Sequence, residues 1–302
     1  MDTLADIENR ATLARVTCGW KKPHLDLAVV RPYWRDAHSP AIARRAGIYE
    51  YRHYPLDPIK QDLFKAIDAV DLCGKPDEQL MWLSDVRYAD QAGLEAFSAS
   101  PGPEVRAQML ADIDMIVDQS TTYKVVGRNG RTLLDTSGEA APAGPVPRPQ
   151  FGIFFRARGV EADFRRALAL AAQQWAEVPK VRRVRLSLFE APDMAAERAS
   201  GYPIKTHPLH LQYQAWVDLS VDDVEACREL LSMGTAHGLQ EHVTAVHAYP
   251  APAVYTFNYE GHATLAGLRG YPAHAAIKSL DAQHQCSPLL LEWMYCTAAS
   301  IR

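Results

Sequence analysis

KKPHLDLAVVRPYWRDAHSP, residues Lys21 to Pro40, decides how this chain is read. Asp26 stands where a helix N-cap is wanted, its carboxylate able to accept from the free amide N–H groups of a first turn. The helix that follows runs to about Arg45, with Gly47 as its stop. Pro32 and Pro40 each delete a backbone hydrogen bond and predict kinks. Tyr33, Trp34, Arg35 and His38 crowd into this helix. His38 falls three residues after Arg35 and four after Trp34, so each pair can share a face. Upstream, Leu13 to Trp20 is apolar and partly β-branched, a strand. Downstream, Ile48 to Leu56 alternates as a strand should.

Working outward, Gln79 to Tyr88 (QLMWLSDVRY) predicts a third strand, and TTYKVVG, from Thr121, a fourth. Helices are expected at Asp90 to Ser98 and Pro103 to Gln119. The G-R-N-G at 127–130 predicts a hairpin turning at Asn129-Gly130. Ser137 to Gln150 (SGEAAPAGPVPRPQ) has no periodicity and is dominated by Pro, Gly and Ala, the composition of a linker. Beyond it the order recurs. Gln150 to Arg156 is a strand, Val160 to Glu177 a helix and Val181 to Phe189 a strand. A loop leads to a strand at Leu209 to Leu219 and a helix at Val221 to Met233. The end is less regular: strands at Val243 to Ala248 and Ala253 to Tyr259, a helix near Tyr271 to Leu280, and a last strand in PLLLEWMYC. A βαββαβ order given twice predicts an α+β fold of two tandem ferredoxin-like units, residues 1–136 and 151–302 around a 137–150 linker. Each antiparallel sheet keeps helices on one face. The two bare faces can cover each other, giving an intramolecular α+β barrel.

Composition narrows the function. With 32 basic and 36 acidic residues, a net charge of -4 and both signs interspersed, the chain lacks the basic surplus of a nucleic-acid binder. No apolar run approaches the ~20 residues of a membrane span. MDTLADIENR has acidic residues and no apolar core, unlike a secretory leader. Five scattered cysteines fit reduced thiols and a cytoplasmic location better than a disulfide framework. There is no G-x-S-x-G, no G-x-G-x-x-G and no paired C-x-x-C.

Lys21 to Pro40, with the strand bearing Tyr49, Tyr51 and His53, resembles the opening of an EthD domain, a family of the dimeric α+β barrel superfamily. The resembling features are a basic pair with proline, a capped helix ending in Tyr-Trp-Arg-x-x-His-x-Pro, then a glycine and a Tyr-Arg strand. Met81 to Ser98 is similar to the family's later half. The likeness spans residues 10–130, and the second half follows only by element order. FRRALALAAQQW stands where the Trp-Arg-x-x-His signature would recur, so residues 151–302 resemble a diverged copy, leaving one active pocket in the first half. The resemblance implies a cofactor-free barrel with its cavity between sheet and helices. It also implies dehydratase, cyclase, decarboxylase, isomerase or monooxygenase chemistry on aromatic or polyketide-like molecules. Fold is therefore better specified than reaction.

Among the side chains, His38 can move a proton near neutral pH. Arg35 can steady a carboxylate, phenolate or enolate. Tyr33 and Trp34 offer a hydroxyl and an apolar wall. Tyr49, Tyr51 and His53 alternate onto one strand face, where a histidine and two tyrosines would suit a phenolic substrate. The alternative is that these groups only tie helix to sheet. Asp85 and Asp112 are expected at the surface, Trp216 and Trp293 in the core. His207 and His210 form H-x-x-H without the glutamate of a helical zinc motif, and no metal site is expected there or at His242 and His247. His210, Gln212 and Gln214 share one face of the expected strand, which keeps His210 as a second binding candidate.

Catalytic candidates are thus His38, Arg35 and His53, and binding candidates Tyr33, Trp34, Tyr49, Tyr51 and His210. The function expected is a cofactor-independent lyase (dehydratase, decarboxylase or retro-aldol) acting on a small aromatic or polyketide-like compound. Its alternatives are a cofactor-free phenol monooxygenase, a haem-binding barrel, and a non-catalytic barrel that holds an aromatic ligand. A homodimer remains compatible with a tandem chain.

Overall fold

The computed structural model describes residues 2–192, 195, 199, 209–233 and 238–295. Its first half supplies β1 (Leu13–Lys21), β2 (Glu50–Pro55), β3 (Trp82–Tyr88), β4 (Val117–Val126), β5 (Gly130–Asp135) and β6 (Ala143–Pro145). The second supplies β7 (Gln150–Ala157), β8 (Val181–Leu188), β9 (Ala215–Val221), β10 (Val243–Pro250), β11 (Ala253–Tyr259) and β12 (His262–Ala263). One sheet runs β12-β11-β2-β3-β1-β4 and the other β10-β7-β9-β8-β5, all antiparallel. Within each half the order β2-β3-β1-β4 or β8-β9-β7-β10 is the ferredoxin-like order, so the α+β class and the repeat read from the sequence hold.

The two units exchange strands. β5 leaves the first half to pair with β8, and β11 leaves the second to pair with β2. The 127–130 stretch is therefore a short 3-10 turn carrying the chain from one sheet to the other, not a hairpin, because β4 and β5 pair with different partners. Part of the 137–150 stretch is also structured: β6 pairs with β11. The loop after β2 straps the free edge of β10, with Asp57 N–H to Pro250 O and Lys60 N–H to Ala248 O both 2.9 Å. Covering that edge removes a site for wrong pairing.

Strand alternation gives each sheet two faces. The inner faces meet in a barrel core where Val16, Cys18 and Tyr54 pack with Phe154, Trp216 and Tyr249. Toward one end this core becomes ionic. Arg183 and Arg185 on β8 meet Glu8, from the short helix Leu4–Glu8, together with Glu50 and Asp218. Arg52 bridges Glu8 and Glu50, and Arg87 holds Asp85 at 2.8 Å. Asp85 is thus a buried network member rather than a surface carboxylate. Such charges persist in an apolar interior only when paired and hydrogen-bonded.

The outer faces differ, and the difference places the cavity. Over the second sheet lies the helix Glu161–Ala176, whose Phe164, Leu168 and Trp175 fill against Phe151, Ile153 and Phe155. Large apolar side chains leave no room there. The first sheet presents Arg15, Thr17 and Gly19 of β1, Ser84 of β3, and Ser120 and Thr122 of β4. Apart from Arg15 these are small residues, and they lie beneath the helices Leu27–Tyr33, Ser39–Ala43, Gln91–Ala99 and Pro103–Ile116. They leave a hollow.

Three further expectations change. PLLLEWMY forms a helix, Pro288–Tyr295, with Leu291 buried and Trp293 79% exposed, so Trp293 is not core while Trp216 is. The strand after the long loop begins at Ala215, leaving His210 in the 3-10 turn Leu209–Leu211. Its expected strand alternation with Gln212 and Gln214 does not exist. The helix expected at Val221 to Met233 is two short ones, Glu225–Arg228 and Leu230–Met233. Among the described residues, no helix is long and apolar enough to cross a membrane.

Candidate active site

Asp26 caps the helix as its sequence predicts, accepting from Ala28 N–H at 2.9 Å. The helix then widens into a π turn, Trp34–His38, in which Ser39 N–H bonds back to Trp34 O. Pro40 explains it. In a regular helix its ring would press on the Asp36 carbonyl and it has no N–H to give, so a wider turn relieves the clash. The two prolines thus mark a local widening that falls on the signature residues, and Gly47 ends the segment at φ +79°.

His38 is buried on this turn. Its Nδ1 lies 2.5 Å from Asp112 Oδ2 on the helix Pro103–Ile116, and Tyr33 donates to Asp112 Oδ1. Burial alone would raise the Asp112 carboxyl, but the bonds from His38 and Tyr33 prevail and hold it below its usual value. The same bond pushes the Tyr33 hydroxyl up to about 12. Asp112, placed at the surface by its helical neighbourhood, is instead the group that orients His38. Trp34 stacks on the His38 ring at 4.1 Å and on Trp82 at 4.5 Å. Gly19 makes this stack possible, because the Trp82 ring lies across the space a Cβ would occupy.

His38, Trp34, Trp82 and Tyr51 border an inner cavity of about 80 Å³ floored by Thr17 and Ser84. It opens into a mouth of about 530 Å³ bordered by Leu94, Met109, Arg106 and Lys124. Arg15, Ile42, Arg45, Ile113 and Thr122 belong to both and form the neck between them. Tyr51 reaches across the cavity edge to Ser39 Oγ at 2.9 Å.

The other sequence candidates lie elsewhere. Arg35 turns away from this cavity, pairs with Asp36, and stacks over Tyr271 at 4.6 Å, a clamp to the second half of the chain. His53 shares the sheet face of Tyr51 but sits in a separate small hollow with Arg31, Trp34 and Trp82. Burial, with the charges of His38, Arg31 and Arg35, lowers its pKa to about 3. Tyr49 hydrogen-bonds Ile7 O at 2.9 Å, outside both chambers. His210 is exposed, and His207 lies outside the described residues. His247 is buried in the barrel against Tyr213, 2.7 Å away, and its pKa is lowered chiefly by burial. His242 closes a 3-10 turn on the far unit. Among the described residues no three His, Cys, Asp or Glu side chains are grouped to hold a metal.

Of the sequence candidates, His38, Trp34 and Tyr51 border the cavity, whereas Asp112, the partner of His38, and Arg15 at the neck are not among them. Asp112 is separated from His38 by most of a domain and leaves no local signal. Arg15 left one: in LARVTCGW the polar Arg15 and Thr17 alternate with apolar Ala14, Val16 and Cys18, which marks a strand face turned to something other than core.

No family model matches the chain, and no curated protein matches it in sequence. Similar solved structures include a candidate monooxygenase of Fusobacterium nucleatum, at 8% identity, 83% of this chain, 96% of that one and TM-score 0.45. An anthrone oxidase-like protein is similar at 11% identity, 82% and 93% coverage and TM-score 0.43. A further candidate monooxygenase, from Lactobacillus acidophilus, reaches 7% identity, 82% and 97% coverage and TM-score 0.41. The assignment as a tandem ferredoxin-like barrel stands on the strand order and pairing themselves.

Proposed function

We propose that this chain is a cofactor-independent lyase of the EthD type, acting on a small aromatic or polyketide-like molecule, with His38 as its general acid–base. The carrying observation is the His38–Asp112 pair at the edge of the inner cavity. Asp112 takes Nδ1, fixing the ring and leaving Nε2 as the nitrogen that exchanges a proton with substrate. Trp34, Trp82 and Tyr51 supply flat walls for a ring.

Proton removal beside a carbonyl, or from a phenol, leaves an enolate or phenolate. From the enolate the electron pair expels a β-hydroxyl, which leaves as water with the proton that His38 returns. In an aldol cleavage His38 instead takes the β-hydroxyl proton, the C–C bond breaks as the new carbonyl forms, and the departing enolate or phenolate fragment receives that proton back. Arg35 has no part in this step, because it is clamped outside the cavity.

The test is a panel of phenols and polyketide-type hydroxyketones, incubated with the purified chain and followed by mass spectrometry with and without oxygen. A product lighter by water or an aldol fragment, formed equally without oxygen, is expected. His38→Ala should lower kcat by about 10²–10⁴-fold. Unchanged turnover in that variant would refute the assignment, and obligatory oxygen uptake would replace it with a monooxygenase.

A further inference from the structure

Arg15 differs from the other guanidinium groups held within the sheets. In the barrel interior Arg52, Arg87, Arg183 and Arg185 each sit on a carboxylate. Arg15 lies at the neck between cavity and mouth, half-buried, with no ion pair or hydrogen bond to any described residue. It lies on the cavity floor, between Val86 of β3 and Lys124 of β4 in the strand register. The adjacent row across the sheet is Ser84, Thr17 and Thr122. Thr17 and Thr122 bond each other at 3.0 Å, while the Ser84 Oγ is buried without a partner.

The mouth adds charge of the same sign. Arg45, Arg106 and Lys124 border it against a single carboxylate, Glu95. Arg45 donates to the carbonyls of Phe97 and Ser100, at 2.6 and 2.7 Å, and Arg106 to that of Ser98. Carbonyl acceptors hold these guanidinium groups at the rim. A passage bordered by more cations than carboxylates attracts anions and raises their local concentration.

We infer that Arg15 is an anion-binding residue that receives a carboxylate carried by the substrate. The site would accept an aromatic or polyketide-like acid, its carboxylate at the neck and its ring toward Trp34, Trp82 and His38. One guanidinium fork matches one carboxylate through two parallel N–H bonds. The ring's placement rests on the function proposed above; the anion site does not. The assignment also narrows the chemistry. A carboxylate paired with Arg15 is stabilised in the ground state, which opposes its loss as carbon dioxide. The reacting bond is then the one at the His38 end, so dehydration or aldol cleavage is favoured over decarboxylation.

Calorimetric titration of the full chain tests this with three probes: 2-hydroxybenzoate, its uncharged amide and phenyl phosphate. At low salt the acid should bind at least about tenfold tighter than the amide, a preference of ~1.4 kcal/mol that shrinks as salt rises. Arg15→Gln should erase the preference while leaving amide binding and the melting temperature in place. Arg15→Met, which keeps the aliphatic stem, serves as the second variant if the glutamine chain melts early. His38→Ala should keep the preference. Equal affinities for acid and amide, a preference that survives both Arg15 substitutions, or no saturable binding of either probe would overturn the anion site. Tighter binding of phenyl phosphate than of the acid would overturn the carboxylate assignment. Unchanged turnover in His38→Ala with the acid preference intact would remove the proposed reaction and leave the anion site standing.

Discussion

Gly19→Ala tests whether the Trp82–Trp34–His38 stack organises the site, and it needs no substrate. A Cβ at residue 19 would fall within the Trp82 indole, with Cη2, the third of the three nearest atoms, 2.7 Å away. Carbon atoms in contact normally lie ~3.5–4.0 Å apart, so the ring must retreat by about 1 Å or more. It has little room. Trp34 lies 4.5 Å from it, and behind Trp34 stands His38, tied to Asp112. Trp34 and Trp82 are each only 5% exposed. Overpacking of this kind costs about 1–3 kcal/mol. At roughly 2–4 °C per kcal/mol for large domains, the melting temperature should fall by about 2–12 °C. Differential scanning fluorimetry reads that loss, and near-ultraviolet circular dichroism reads the altered indole packing. Wild-type stability with an unchanged near-ultraviolet spectrum would show that the stack is not held as described.

Three more expectations follow from the buried charges. Glu8→Gln leaves Arg183, Arg185 and Arg52 short of a carboxylate in the barrel, and should cost about 3–5 kcal/mol in urea denaturation; a loss under 1 kcal/mol would mean the network tolerates a missing charge. His53 has a folded pKa lowered to about 3, so the unfolded chain binds the proton first as pH falls below ~6.5. Its contribution to stability is therefore present above that pH and lost toward pH 3. His53→Gln should flatten the decline, and a ring seen protonated at pH 5 by nitrogen NMR would contradict the burial argument. Asp112, held below its usual value, stabilises the fold above ~3.9 and ceases to as pH falls through the folded value. Asp112→Asn should weaken stability at pH 7 relative to pH 3 and, once a substrate is in hand, lower kcat with little change in KM; an unchanged kcat would make Asp112 a structural partner only.

The sequence by itself determined the elements that depend on neighbours in the chain. The Asp26 cap, the proline-disturbed helix, the strand alternation of β1 and β2 and the doubled βαββαβ order all follow from local hydrogen bonding and side-chain period. His38 was legible for the same reason, because it belongs to a compact motif. Only the tertiary structure decided which strands exchange between sheets, since β5 and β11 look alike in sequence whichever sheet receives them. It also decided that Arg35 faces Tyr271, because the direction of a side chain on a π turn depends on the packing around it, and that the strand face carrying Arg15 lies under a cavity rather than under packed side chains. Asp112 became the partner of His38, and Asp85 a buried counter-ion, through contacts with residues distant in sequence. The cavity itself is a tertiary outcome: the same fold is filled by Phe151, Ile153 and Phe155 over one sheet, and left hollow above Thr17, Ser84 and Thr122 over the other.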